Sequence, residues 1–246
     1  MKIHIFDDIE KLTIAAAEKF IITVNTTVRT KNNCTVVLSG GTTPQSLYSI
    51  LGDEKAPFRE QVPWEKIDFF IGDERHIPPN YPDSNFYMVN NSLFRNVPVL
   101  FDQIYRIQSE NPEALQAAED YEQVLSNYFK FGENQIPRFD IVLLGLGHDG
   151  HTASLFPGSN ILFEKKRLVV APWVEKLKSY RITLTVPVFN NAANIIFIVA
   201  GENKAEALRE VLKGDFQPEK YPAQLIKPNN GSVLWLVDKS AARLLN

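Results

Sequence analysis

Ten consecutive residues, Gly145-Leu146-Gly147-His148-Asp149-Gly150-His151-Thr152-Ala153-Ser154, hold two of the four histidines in the chain and follow an apolar run. An imidazole, with an ordinary pKa of ~6.5, takes a proton from water near neutral pH, so His151 is a candidate general base. Asp149, two residues earlier, can orient that imidazole or line a cleft beside it. The glycines allow the backbone to approach a ligand closely. The plain alternative is a pair of solvated histidines on a Gly-rich loop.

Gly145, Gly147 and Gly150 also spell G-x-G-x-x-G. A dinucleotide site would need a helix running on past Gly150 and an acidic residue about 20 positions onward. Pro157 cuts such a helix short, and the next β-rich run, Leu168 to Val170, ends in Ala171-Pro172. No cofactor is therefore expected. The two histidines invite a metal reading as well, but a catalytic zinc wants three protein ligands and a third is not evident, so no metal is expected either.

Three other stretches could act on an anionic ligand. Ser39-Gly40-Gly41-Thr42-Thr43-Pro44 follows a β-branched run and opens a helix, and its backbone N–H groups, helix N-terminus and hydroxyls can cradle a phosphate. It is not a P-loop, since no Gly-Lys-Ser/Thr follows; a tight, well-capped turn is the simpler alternative. In Gly72-Asp73-Glu74-Arg75-His76, with Asp83-Ser84-Asn85 close behind, Arg75 can clamp a phosphate or carboxylate bidentately while Asp73 or Glu74 orients it. Those charges could instead pair with one another on a solvated loop. Arg181 and Lys204, with the Ser39 loop, can surround a phosphoryl dianion of about −1.5 to −2 charge. A covalent serine route is disfavoured: there is no G-x-S-x-G elbow, and Ser154 is as easily structural.

Such groups must be brought together by strands. Short apolar or β-branched runs predict strands at Thr35 to Leu38, Ile67 to Ile71, Phe139 to Leu144, Leu168 to Val170, Arg181 to Val186, Asn194 to Val199 and Val233 to Val237. Several are apolar at consecutive positions, the pattern of strands covered on both faces and paired in parallel. Helices are expected from Ile9 to Thr30, Pro44 to Leu51, Ser84 to Phe94 and Asn203 to Lys213. One more should start at an Asn111 N-cap with Pro112 in its first turn, place Leu115, Ala118, Leu125, Tyr128 and Phe129 on one face, and end near Gly132. The alternation predicts an α/β fold, a doubly wound and mainly parallel sheet with helices on both faces. Ligands then sit beyond the carboxyl ends of the strands, which is where the four stretches fall.

No repeat or Gly/Ser linker divides the chain, so residues 1–246 are read as a single domain. With 44% hydrophobic residues a sizeable core is available, and the single cysteine, Cys34, rules out an internal disulfide framework. A net charge of −3 with scattered Lys and Arg gives no footprint for nucleic acid or anionic lipid. Met1 to Lys11 lacks the apolar run of a signal peptide, and no stretch approaches a membrane span, so a cytoplasmic location is expected.

Five ordered blocks over nearly the whole chain resemble the 6-phosphogluconolactonase family: the Ser39–Thr42 loop; Gly72–Arg75 with Ser84-Asn85; the block from Gly145 to Pro157; Arg181-x-Thr183-Leu184-Thr185; and Gly201-x-x-Lys204-Ala205. The resemblance implies a modified Rossmann-like, NagB/RpiA-like fold. It also implies hydrolysis of 6-phospho-D-glucono-1,5-lactone in the oxidative pentose phosphate pathway. The partner would be that small-molecule phosphorylated lactone, with no nucleic acid, membrane or obligate protein partner. By the same resemblance His151, Arg75 and Asp149 are the catalytic candidates, and Ser39, Gly40, Gly41, Thr42, Asp73, Asn85, Arg181 and Lys204 the substrate-binding ones. Glucosamine-6-phosphate deaminases and related isomerases share the phosphate loop and the Asp-Gly-His motif. Their pattern, however, carries a glutamate five residues past the His, where this chain has Phe156, and Asp-Glu-Tyr in place of Asp73-Glu74-Arg75. A non-catalytic sugar-phosphate sensor is the third reading; it would have no use for His151.

Overall fold

In the computed structural model, which describes residues 2–130, 132 and 135–245, most of the apolar runs become strands and the periodic stretches between them helices. The first half of the chain forms β1 (Lys2–Phe6), α1 (Ile9–Lys31), β2 (Cys34–Leu38), α2 (Thr42–Gly52), β3 (Ile67–Ile71), β4 (Asp73–Arg75), α3 (Asn85–Ser92), β5 (Ile104–Tyr105) and α4 (Ala114–Phe129). The second half forms β6 (Ile141–Leu144), β7 (Val169–Val170), β8 (Trp173–Val174), β9 (Ser179–Leu184) and α5 (Val186–Asn190). It continues with β10 (Asn194–Val199), α6 (Ala205–Lys213), β11 (Ser232–Asp238) and α7 (Lys239–Ala242). Seven strands make one parallel sheet in the order β1-β11-β10-β6-β2-β3-β5. Side chains alternate between the two faces of a strand, yet β2 and β6 are buried at every position, so both faces of the sheet centre are covered.

Local chemistry sets the element ends. Asp8 caps α1 by accepting from the Lys11 N–H at 2.8 Å, Leu12, Ala16, Phe20 and Val24 then fall on one buried face, and Asn32 closes the helix in the left-handed region at φ 60°. Asp140, buried just ahead of β6, accepts from both the N–H and the hydroxyl of Thr35 at 3.0 Å and from the Lys31 ammonium at 2.5 Å. It thereby fixes β6 against β2. Cys34 lies in the core, where burial pushes its thiol up to about 12.

The structure corrects several expectations. The Leu168 and Arg181 runs do not join the parallel sheet: β7 and β9 pair antiparallel in a small second sheet with β4, and β8 adds to β9. The Arg181 strand also stops at Leu184, because Pro187 sets the first turn of α5. Asn111 does not cap α4. Its side chain forms a local turn by accepting from the Glu113 N–H at 3.1 Å, and the helix starts at Ala114. Leu115 is consequently exposed, the buried face being Ala114, Ala117, Ala118, Tyr121 and Leu125, and Lys130 ends the helix at φ 51° before Gly132. A 3₁₀ turn, Glu202–Lys204, takes the place of the first turn expected for α6. Strands β1, β4, β5 and β8 were not expected; three have two or three residues, and β1 is a mostly exposed edge without an apolar run. No helix among the described residues is long and apolar enough to cross a membrane.

Replacing Asp140 with alanine strands two buried donors of Thr35. A loss of about 1–3 kcal/mol is expected, a fall in Tm of roughly 3–10 °C for a chain of this size, measurable by calorimetry.

Candidate active site

The sheet order places the carboxyl ends of β10, β6, β2 and β3 side by side. The segments leaving them, Ala200–Lys204, Gly145–Ala153, Ser39–Pro44 and Gly72–Arg75, converge on one cavity of about 200 Å³, the scale of a small polar metabolite, with Asn85 completing its wall. Ser39, Gly40, Gly41, Thr42, Asp73, Arg75, Asn85, His148, His151 and Lys204 all line it.

Its floor is the start of α2. Gly41 precedes the helix at φ 106°, a conformation open to glycine, and no side chain caps the first turn. Backbone donors and the positive end of the helix dipole therefore face the cavity. The Tyr48 hydroxyl, buried beneath, accepts from the Ser39 N–H at 3.0 Å and donates to the Ser39 carbonyl at 2.9 Å, which rigidifies the loop. The Ser39 hydroxyl itself is buried beside Tyr48. Lys204 enters from the β10 side, and among the described residues no carboxylate pairs with it. Burial lowers its pKa, against the opposing pull of Asp149.

His151 stands on the β6 side with its Nδ1 hydrogen-bonded to an oxygen of Asp149. The other Asp149 oxygen takes the ammonium of Lys176. Burial alone would raise the Asp149 carboxyl, but the hydrogen bonds from His151 and Lys176 outweigh it and hold the group well below the usual carboxylate range. Phe156 packs on the imidazole with ring centroids 4.5 Å apart. Gly147 lies directly beneath: a Cβ there would fall 2.0 Å from His151 Nδ1 and 2.2 Å from Cε1. The loop turns back at Ala153, which holds a strained φ of 48°. No helix follows Gly150, so the dinucleotide pattern lacks the element it requires.

On the β3 side a buried carboxylate organises the wall. Glu74 accepts from the backbone N–H groups of Arg75 (2.8 Å), Asn85 (2.7 Å) and Phe86 (2.8 Å) and from the Ser84 hydroxyl (2.9 Å). Burial still raises its pKa against those four bonds. Asn85 is thereby set over Gly40, where a Cβ would lie 1.9 Å from Asn85 Oδ1. The Asp73 carboxylate accepts from Ser154 at 2.7 Å and from Asn85 at 3.3 Å.

Two expected residues lie outside the cavity lining. Arg181 sits opposite Arg75 across the antiparallel β4–β9 pair and donates to the Ser179 hydroxyl (3.0 Å) and the Tyr180 carbonyl (3.1 Å). Burial and the neighbouring Arg75 both lower its pKa. Asp149 stands behind His151 instead of facing the ligand space. Arg75 is not oriented by Asp73 or Glu74 as expected; its guanidinium donates to the Asp83 carbonyl. Within the Gly-rich loop the Gly147 N–H bonds the His151 carbonyl and the Gly150 N–H the Gly147 carbonyl, so both donors are engaged inside the loop. Lys176 escaped the sequence reading because nothing local marks a lysine 27 positions past its partner. Glu74 was visible as a charge, but its pairing with the start of α3 required the fold.

Similarity to known proteins runs along nearly all of this framework. Residues 7–235 match the family model described as glucosamine-6-phosphate isomerases/6-phosphogluconolactonase. A 6-phosphogluconolactonase of a Nostoc species is 35% identical over 99% of this chain and 98% of its own length, and one from Synechocystis is 38% identical over 86% and 84%. The solved structure of 6-phosphogluconolactonase from Trypanosoma brucei superposes with a TM-score of 0.86 at 28% identity, covering 100% of this chain and 98% of that one.

A methyl group at position 147 must push the His151 ring aside. Gly147→Ala should lower turnover about 10²-fold, the scale on which a catalytic group misplaced by an ångström acts, while Tm moves little; steady-state kinetics and a thermal melt on one preparation test both halves.

Proposed function

The chain belongs to the glucosamine-6-phosphate isomerase/6-phosphogluconolactonase family, and from that premise we propose that it hydrolyses 6-phospho-D-glucono-1,5-lactone to 6-phosphogluconate with His151 as general base. One observation carries the reading: an imidazole tied through Nδ1 to an ionised Asp149 lines the same cavity as a helix N-terminus without a side-chain cap and Lys204, a cation with no carboxylate partner among the described residues. A base thus shares a small space with a built anion site.

The phosphoryl group would rest on the backbone donors of Gly41, Thr42 and Thr43 at the start of α2, beside Ser39 and Gly40. Lys204 approaches from the β10 side and Arg75 from the β3 side. Arg181 adds positive potential from its place across the strand pair from Arg75. With the phosphate anchored, the lactone carbon is held for attack, so remote binding energy serves the chemical step. Asp149 keeps the proton on Nδ1 and leaves Nε2 free, as the orienting carboxylate of an acid–base pair does. His151 Nε2 takes a proton from water as its oxygen bonds to C1. The tetrahedral intermediate then collapses by breaking the bond from C1 to the ring oxygen, which receives that proton from the imidazolium. The new carboxylic acid ionises, and the enzyme returns to its starting state. The lactone is an activated ester, so this sequence asks for no metal or cofactor.

Phe156 supports hydrolysis over isomerisation. The position at which the deaminase pattern carries its proton-shuttling glutamate is an aromatic ring packed on His151, and the nearby Asp73 carboxylate is already engaged by Ser154 and Asn85. The sensor reading makes no use of the Asp149–His151 pair.

The test is the decay of enzymatically generated 6-phosphogluconolactone with and without the protein, above the spontaneous rate. His151→Ala should cut kcat by about 10²–10⁴-fold. Lys204→Ala should chiefly raise KM, by about tenfold or more, as loss of a charge-assisted contact to phosphate does. Wild-type turnover in His151→Ala would sink the assignment of the base. Absence of acceleration, together with conversion of glucosamine 6-phosphate, would replace the lactonase reading with the isomerase one.

A further inference from the structure

Lys176 comes from a 3₁₀ turn, Glu175–Leu177, in the hairpin joining β8 to β9. On that turn Glu175 is taken by Lys178 and by the Trp173 indole at 2.7 Å, so Lys176 reaches away from both. Its ammonium meets Asp149 Oδ2 and lies 4.9 Å from the centre of the Phe156 ring, which in turn packs on His151. Cation, carboxylate, imidazole and aromatic ring thus form a closed circuit, each touching the next. Lys176 is not among the cavity-lining residues.

From this circuit we infer that Lys176 is a positioning residue for hydrolysis: by holding one oxygen of Asp149, it fixes the rotation of the carboxylate that aims His151 and opposes the arrival of a further proton on the Asp149–His151 pair. The inference rests on the proposed role of His151. A carboxylate bound at one oxygen only can rotate about its Cβ–Cγ bond, whereas Asp149 is held at both. A cation beside an acid–base pair also disfavours its protonated form. The other charged or titratable groups facing the pair are Lys204 from the β10 side, acting on Asp149, His148 on the same loop, and Asp73 and Arg75 across the cavity. All of them remain when Lys176 is replaced, so its effect is separable.

The experiment is the pH dependence of lactone hydrolysis, kcat and KM separately, for the wild type, Lys176→Met, Lys176→Gln, Lys176→Arg and His151→Gln, each with a thermal melt. Half of the Lys176 side chain is exposed, so the variants should fold; the glutamine variant serves if the methionine one does not. In Lys176→Met, kcat should fall about 3–10-fold with KM unchanged. The acid limb of the kcat profile should move to higher pH by about 0.3–1, a displacement kept below that of a fully buried charge by solvent screening. Lys176→Arg should restore both, because a guanidinium can hold the carboxylate and lie over the ring. An inactive His151→Gln beside a Lys176→Met with an unmoved acid limb overturns the inference and leaves the base intact, even if kcat has dropped. An active His151→Gln overturns the base, and the inference with it.

Discussion

Glu74 gives up contact with water altogether, and four donors from two separate elements take water's place. Three of those donors belong to the start of α3. A carboxylate there satisfies N–H groups that a helix leaves open and lies at the positive end of its dipole. The same bond set ties α3 to β4, the short strand continuing the line of β3 into the active-site wall. Asn85 is fixed over Gly40 as a result, Asp73 is held by Asn85 and Ser154, and Arg75 projects where its strand partner Arg181 backs it. Take Glu74 away and the three donors at the start of α3 lose the acceptor that joins them to β4.

The opposite wall is built with less charge and more contact. Gly147 supplies the space in which the imidazole sits, Phe156 covers the ring, and Gly150, at φ 80°, turns the loop where a side chain would strike Tyr221. Gly147 answers close approach alone, and Gly150 both close approach and a left-handed backbone. The parallel sheet supplies what neither wall can, by bringing the ends of four strands to one line.

Much of this was legible in the residues. The consecutive apolar positions of Val36-Val37-Leu38 and Ile195-Ile196-Phe197 announced strands buried on both faces, and the sheet centre has them there. The loops that line the cavity were readable because Gly, Ser, Thr, Asp and His clustered directly after those runs. What escaped was non-local. Val169-Val170 and Arg181 to Leu184 have the composition of sheet-centre strands, and only their antiparallel pairing with each other, and of the second with β4, assigns them elsewhere. Arg181, expected beside the phosphoryl group, pairs across the two strands with Arg75 and is not among the cavity-lining residues. The Asp149–His151 contact follows from a spacing of two, but the third group of that set arrives from a hairpin with no local sign of the connection.

The outermost strand also says something about how the fold is completed. Lys2 lies opposite Leu234 and Phe6 opposite Asp238, and Asp7 forms an ion pair with Lys239. On the ribosome β1 therefore emerges long before β11, the strand it pairs with, and β10, the other neighbour of β11, keeps one flank open until β11 follows. Closing this edge joins positions far apart in the sequence, Lys2 with Leu234, a late and entropically slow step. Until then the nascent chain carries unpaired strand flanks, the surfaces through which chains adhere to one another.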